Sequence, residues 1–435
     1  MPATIYALST PPGISAVAII RISGPDSFRV VGRLCKLKNP FKLDKRKTHL
    51  RKIFSHDGKL LDEGFVVCFD KGRSFTGEDM AEFQLHGSNI VVNTVLNALS
   101  KLSYTRSAEP GEFTKRALEN NKIDLFQAEG LSDLLAAETE SQQEQALTTY
   151  SGYMSKRIGG WKESVVKMLS IVETVIDFSD DVDTSDFVNS LKGDLEGLEE
   201  ELIKERVGFK AAESLRDGFE VAFVGKPNVG KSTILNYLAK RNLAITSKVS
   251  GTTRDIIELR FNLEGLPITF LDTAGIRHTE DEIEKVGVNN SIERVNRSDV
   301  RVFLTGNNQE IKNFGVKHLK TDIVLRPKGD LSGSEPSISG KTGKGFNYLL
   351  KVLKKRFDNK TREASFITRT RHLEKVLCCL KNIRSIQEKI ENKNYEVEII
   401  AEEFRNILRN FDGLLGLVDT EEVLGEIFAN FCIGK

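Results

Sequence analysis

The residues with the plainest chemistry are Gly225-Lys226-Pro227-Asn228-Val229-Gly230-Lys231-Ser232, which fit G-x-x-x-x-G-K-[ST]. Glycines there let backbone N–H groups close on phosphate oxygens, and a following helix adds its partial positive charge. Lys231 can reach β- and γ-phosphates, and the Ser232 hydroxyl can ligate Mg²⁺. Downstream, Gly251-Thr252-Thr253-Arg254-Asp255 offers Thr253 as a second Mg²⁺ hydroxyl. Leu271-Asp272-Thr273-Ala274-Gly275 ends an apolar run in an aspartate at the Walker B position. Phosphate loop, threonine loop and D-T-A-G in that order point to a GTPase rather than a generic ATPase.

Two departures qualify that reading. GTPases read guanine with N-K-x-D, whereas this chain has Arg326-Pro327-Lys328-Gly329-Asp330. Proline brings no side-chain amide, so a weakened but retained guanine preference is expected through Asp330, with Ser339-Gly340-Lys341 as the later base-contacting loop. Ile276, after D-T-A-G, cannot orient water; the nearest carboxylates are those of Glu280-Asp281-Glu282-Ile283-Glu284.

These residues need a sheet to hold them. Apolar runs at 219–224, 257–263, 267–271, 300–304, 322–325 and 336–339 alternate with helical patterns, which predicts a parallel-sheet α/β domain over 216–357. Residues 1–117 read as α+β, with strands at 17–22, 64–69 and 81–86 and a helix from 89 to 102. Residues 118–215 and 358–435 carry helical stripes, such as Leu191, Leu195, Leu198 and Leu202. Neither block has a sheet to lean on, so the two are expected to pack together as a helical domain with the α/β domain inserted between them. The acidic stretch 177–186 reads as a helix end and loop.

The 435 residues are 39% apolar and carry 63 cations against 62 anions, so bulk charge gives no sign of a polyanion binder; a local basic patch can still hide inside that balance. No 18-residue apolar run or secretory leader is found, so no membrane span is expected. Five cysteines without C-x-x-C argue against a zinc site or disulfide framework and for a reducing cytoplasm. Arg21 and Glu82 stand on otherwise apolar strands, where a charge is paired or functional. The aromatic residues Phe428 and Phe431, with Ile433, in the closing Phe428-Ala429-Asn430-Phe431-Cys432-Ile433-Gly434-Lys435 favour docking over fraying, and Lys is a poor last residue for prenylation.

Along its whole length the chain resembles the bacterial tRNA-modifying GTPases of the MnmE (TrmE) family. The resemblance rests on Thr10-Pro11-Pro12-Gly13, Arg21-Ile22-Ser23-Gly24, Phe75-Thr76-Gly77-Glu78-Asp79, Pro110-Gly111-Glu112-Phe113-Thr114, Lys122-Ile123-Asp124-Leu125, the G motifs above and the closing Phe431-Cys432-Ile433-Gly434-Lys435. It implies a homodimer whose N-terminal domain dimerises and binds formyl-tetrahydrofolate at positions matching Arg21, Glu82, Lys122 and Lys435, with Cys432 near the reaction. It implies a GTP site formed by Asn228 to Thr233, Ser247, Lys248, Val249, Ser250, Gly251 to Thr253, Asp272 to Gly275, Lys328 and Asp330. There K⁺ would be held by Asn228, Ser247, Val249 and Thr252, Mg²⁺ by Ser232 and Thr253, and water would be oriented by Glu284 beside Lys231. It further implies a flavin-dependent partner, MnmG (GidA), which carries FAD, in a heterotetramer acting on tRNA. The competing expectations are a ribosome-assembly GTPase of the Era or Der type and a folate-dependent one-carbon enzyme with a regulatory G domain.

Overall fold

The computed structural model describes residues 3–177, 184–240, 257–272, 291–331, 335–392, 396–417 and 434. They form two compact units, one of residues 1–132, 150–158 and 411–435, the other of 133–149 and 159–410.

In the first unit the chain runs β1 (Thr4–Leu8), β2 (Ser15–Ser23), α1 (Ser27–Leu34), β3 (His49–Phe54), β4 (Leu60–Phe69), β5 (Met80–Gly87), α2 (Asn89–Ser100), β6 (Thr105–Ser107), α3 (Glu112–Glu119) and α4 (Leu125–Ala136). The strands make one sheet in the order β3-β4-β5-β2-β1-β6, antiparallel except for the β1–β6 pair. Strand alternation sends Ile20 and Ile22 to the covered face, where Phe28, Val31 and Leu34 of α1 and Val95 and Leu99 of α2 bury them. Arg21, between those two isoleucines, therefore points to the opposite face. Near it Ile5, Ala7, Ala108 and Phe113 form a small separate core with Phe75. Further along that face Val17, Leu50 and Phe65 are exposed, the last two as cross-strand neighbours.

The tail does dock. The Ser9 hydroxyl donates to the Gly434 carbonyl at 3.0 Å. Gly434 has φ +108°, and a Cβ there would stand 2.3 Å from the Leu8 carbonyl oxygen, so only glycine fits.

The chain continues through α5 (Glu140–Tyr150), α6 (Tyr153–Asp177), α7 (Thr184–Asp217), β7 (Phe219–Val224), α8 (Lys231–Ala239), β8 (Ile257–Leu263), β9 (Leu266–Asp272), β10 (Val300–Leu304), β11 (Ile323–Pro327), β12 (Ser337–Ile338), α9 (Phe346–Arg362), α10 (Thr370–Glu391) and α11 (Val397–Leu415), and β7 to β12 belong to the second unit. Its sheet order is β12-β11-β10-β7-β9-β8. Apolar side chains of α8 and α9 cover one face, with Phe219 stacked on Phe357 at 4.4 Å. Val295, Ile311 and Val316 cover Ala222, Leu271 and Phe303 on the other.

The all-parallel expectation fails at one edge, because β8 pairs antiparallel with β9. Only Glu264 and Gly265 join them, at φ +49° and +90°, and two residues in left-handed conformations close a tight hairpin, not a crossover. The Gly265 carbonyl accepts from the Ser141 N–H at 3.1 Å, and Arg260 pairs with Glu138 at 3.2 Å, so this hairpin is fastened to the start of α5.

The helical blocks pack on one another, with Glu199 of α7 accepting from Arg384 at 2.8 Å and Gln387 at 3.0 Å. Asp299 ties the two chain crossings between helices and sheet. It accepts from the Ser214 hydroxyl at 3.1 Å, the Glu220 N–H at 3.0 Å and the Lys360 ammonium at 2.9 Å. Among the described helices none is long and apolar enough to cross a membrane. The acidic stretch falls mostly outside the described residues, and α7 begins at Thr184.

Arg301 on β10 is 2% exposed and pairs at 2.9 Å with Asp322, whose side chain is fully buried. Removing one partner strands a charge in the core. Asp322→Ala is expected to cost roughly 3–5 kcal/mol of unfolding free energy, and the apolar pair Arg301→Met with Asp322→Leu to recover most of it. Denaturant unfolding of the three proteins checks this.

Candidate functional site

The second unit's site is built where β7 meets α8. β7 is central and buried, and its chain turns sharply at Gly225, where a Cβ would lie 3.0 Å from the Leu304 carbonyl oxygen. Asn228 adopts φ +60°, which asparagine tolerates better than most residues, and Gly230 at φ +109° caps α8. Val229 packs against the sheet core between them. The Lys231 ammonium turns back over the loop and donates to the Gly225 carbonyl at 2.7 Å and the Lys226 carbonyl at 3.4 Å. The Ser232 hydroxyl donates to Asp272 Oδ2 at 2.9 Å, which joins the first turn of α8 to the end of β9. Hydroxyl and carboxylate oxygens are hard donors of the kind Mg²⁺ takes.

The loop after β12 completes the wall. Gly340 lies against Thr233 so closely that a Cβ would sit 2.6 Å from the Thr233 carbonyl carbon. Next to it, Ser339 hydrogen-bonds the Asp330 carboxylate. That bond, the backbone, and then Lys341 and Lys328 hold the exposed Asp330 below the usual aspartate range. Lys328 has φ +53°, and the Gly329 N–H donates to the Ile338 carbonyl at 3.0 Å, so the loop carrying Asp330 is anchored through its backbone. Pro327 pairs with Ile338 in the β11–β12 register and supplies no side-chain bond.

Thus Asn228, Val229, Gly230, Lys231, Ser232, Thr233 and Asp272 converge around one loop, and Asp330 joins them through Ser339 and Gly340. Ser247, Lys248, Val249, Ser250, Gly251, Thr252, Thr253, Thr273, Ala274, Gly275 and Glu284 lie outside the described residues.

In the first unit Arg21 and Glu82 are register partners on β2 and β5, paired at 3.0 Å and largely buried. The guanidinium stands 5.5 Å from the centre of the Phe75 ring and 5.8 Å from that of Phe113. Lys122 donates to the Gly72 carbonyl at 2.5 Å, and Asn120 donates to Thr76 at 2.8 Å, so both ends of the loop carrying Phe75 are held. Cys432 and Lys435 lie outside the described residues, between and beside which Gly434 is placed on Ser9.

Two functional supports escaped the sequence. Ser339 was visible only as part of a loop; nothing in its spacing announced a bond to Asp330. Arg116 joins Glu78 and Glu112, each at 2.9 Å, under the Phe75 loop, and Arg106 also grips Glu112. Burial pushes the Glu112 carboxyl up, but bonds from Arg106, the Glu109 amide and Arg116 outweigh it and hold it low. The i,i+4 spacing of Glu112 and Arg116 was the available signal.

A phosphate loop on a central parallel strand, a buried aspartate at the end of its neighbour and an ionised aspartate by the far loop define a P-loop nucleotide-binding domain of the G-domain class, bracketed by helices. The MnmE helical domain family matches residues 125–432, and the family of the GTP-binding protein TrmE N-terminus matches residues 4–122. The tRNA modification GTPase MnmE of Dinoroseobacter shibae is 42% identical, over 99% of this chain and all of that protein; that of Roseobacter denitrificans is equally similar, at 42% over the same shares. A crystal structure of Aquifex aeolicus Era bound to GDP·AlF4⁻ matches 38% of this chain and 66% of that one at 24% identity and a TM-score of 0.26, too slight to separate one G-domain family from another. The chain belongs to the tRNA modification GTPase MnmE family.

A lowered Asp330 pKa means that its carboxylate persists from neutral pH down through the ordinary aspartate range and is lost only as pH falls through the lowered value. Ser339→Ala removes the largest cause. The Asp330 titration followed by NMR is expected to move up toward the ordinary aspartate range.

Proposed function

We propose that this chain hydrolyses GTP and, with the flavoprotein MnmG, installs a carboxymethylaminomethyl-type group at C5 of the wobble uridine of certain tRNAs, with formyl-tetrahydrofolate as one-carbon donor. The observation that carries this reading is likeness across the full chain, at 42% identity, to proteins named for tRNA modification. A G domain alone would not distinguish this role from ribosome assembly.

The G-domain residues divide the work by their chemistry. Backbone amides from Asn228 to Thr233 and the Lys231 ammonium bind the phosphates. Ser232 and Thr253 offer hydroxyls to Mg²⁺, and Asp272 orients the first of them. Lys328 and Asp330 bind the guanine, whose N–H groups suit an ionised carboxylate. Asn228 with Ser247, Val249 and Thr252 holds K⁺, which supplies positive charge where a transferring phosphoryl group gains negative charge. Glu284 orients the attacking water, a task Ile276 cannot perform.

In the first unit Arg21 and Lys122 offer cations to folate carboxylates and Glu82 an acceptor to the pterin edge, while Lys435 and Cys432 arrive with the tail. The exposed sheet face bearing Val17, Leu50 and Phe65 supports a dimer through this unit.

The decisive experiment is mass spectrometry of tRNA nucleosides from cells lacking this chain. Loss of the C5 modification at the wobble uridine is expected; an unchanged nucleoside profile removes the proposal. On the purified chain, GTP turnover is expected to be several-fold faster in K⁺ than in Na⁺ at equal ionic strength. Equal rates would remove the K⁺ role of Asn228.

A further inference from the structure

A chain with 63 cations and 62 anions has no bulk attraction for a polyanion, yet one element departs sharply from that balance. Helix α9 carries Lys351, Lys354, Lys355, Arg356, Lys360 and Arg362 against Asp358 alone. Three of these cations are engaged: Lys354 pairs with Asp358 at 2.6 Å, Lys360 with Asp299 at 2.9 Å, and Arg356 donates to the Thr321 carbonyl. Lys351, Lys355 and Arg362 are exposed and have no partner among the described residues.

Their positions fall on one line. At 3.6 residues per turn, Lys351, Arg362, Lys355, Tyr348 and Asn359 occupy an arc of about 80°, and Lys351 to Arg362 spans about 16 Å along the axis. Tyr348 is 52% exposed, and the one carboxylate of the helix, Asp358, lies about 20° outside the arc, where Lys354 pairs with it. The opposite face is fully committed, with Phe346, Leu349, Leu350, Leu353 and Phe357 buried against the sheet. The helix dipole accounts for a cation in the last turn, at Arg362, but not for Lys351 and Lys355, which repel one another at i,i+4. A surface built only for solubility mixes both signs.

We infer that the outer face of α9 is a docking strip for the sugar–phosphate backbone of the tRNA. Three unpaired cations follow a run of phosphates, and the Tyr348 ring offers a stacking face to a sugar or an unpaired base. The strip reads charge and shape, not sequence, so it holds different tRNAs alike. This inference rests on the reading of tRNA as substrate.

The test is binding of the full-length chain to fluorescently labelled, unmodified tRNA across a series of salt concentrations. The triple variant Lys351→Glu, Lys355→Glu, Arg362→Glu is expected to weaken binding about tenfold or more and to flatten the dependence of log affinity on log salt by about two to three. Lys351→Arg with Lys355→Arg should bind as the native chain does, and GTP turnover without tRNA should be unchanged in every variant. A neutral triple, with Gln at the three positions, gives the same reading if charge reversal disturbs folding. Native affinity and salt dependence in both triple variants would overturn the inference, and so would no tRNA binding by the native chain. Intact tRNA binding with lost flavoprotein binding would overturn it in favour of an acidic protein surface. The wobble-nucleoside profile of deletion cells separately decides whether tRNA is the substrate at all.

Discussion

The hydrogen bond from Ser232 to Asp272 is the joint on which the second unit's site depends. It links the first turn of α8 to the last residue of β9, two elements that also share apolar packing. Asp272 is almost wholly buried, so its carboxylate needs hydrogen-bond donors, and the Ser232 hydroxyl is one of them. Around that joint the sheet supplies rigidity. β7 has paired strands on both sides, which fixes where Gly225 turns, and the Gly340 loop presses on the same turn of α8 from the far side.

Much of this was legible in the sequence because the groups involved are local. The phosphate loop needs eight consecutive residues, and strand and helix periodicities on either side of it are short-range patterns. All six strands of the second sheet fall within a residue or two of their apolar runs. The antiparallel edge was less visible: Glu264-Gly265 is a turn signal, but the helix–strand alternation around it favoured a parallel reading. Long-range bonds were invisible for a different reason. Ser339 with Asp330, Asp299 with both chain crossings, and Ser9 with Gly434 each join segments whose approach is set by tertiary packing, which no local pattern encodes.

Arg21 and Glu82 show how a structural and a functional reading coexist. Their strand positions made them candidates for mutual pairing, and they do pair, directly across the β2–β5 register. That pairing keeps two charges tolerable on a half-covered sheet face. The Phe75 and Phe113 rings stand beside the guanidinium, so the pair is a polar spot among aromatic rings.

The fastening of the β8–β9 turn to α5 makes the hairpin a strut. Strand β9 has seven residues, a length of about 23 Å at the rise of an extended chain. One end carries Asp272 at the nucleotide loop; the other, next to Gly265, is bonded to Ser141. An extended strand in a sheet neither stretches nor shortens appreciably. Axial displacement of Asp272 must then be taken up at the far end, either as sliding of the turn against the start of α5 or as movement of α5 with it. The helical segment beginning at Glu140 is thus joined, along the length of β9, to the strand end that carries Asp272.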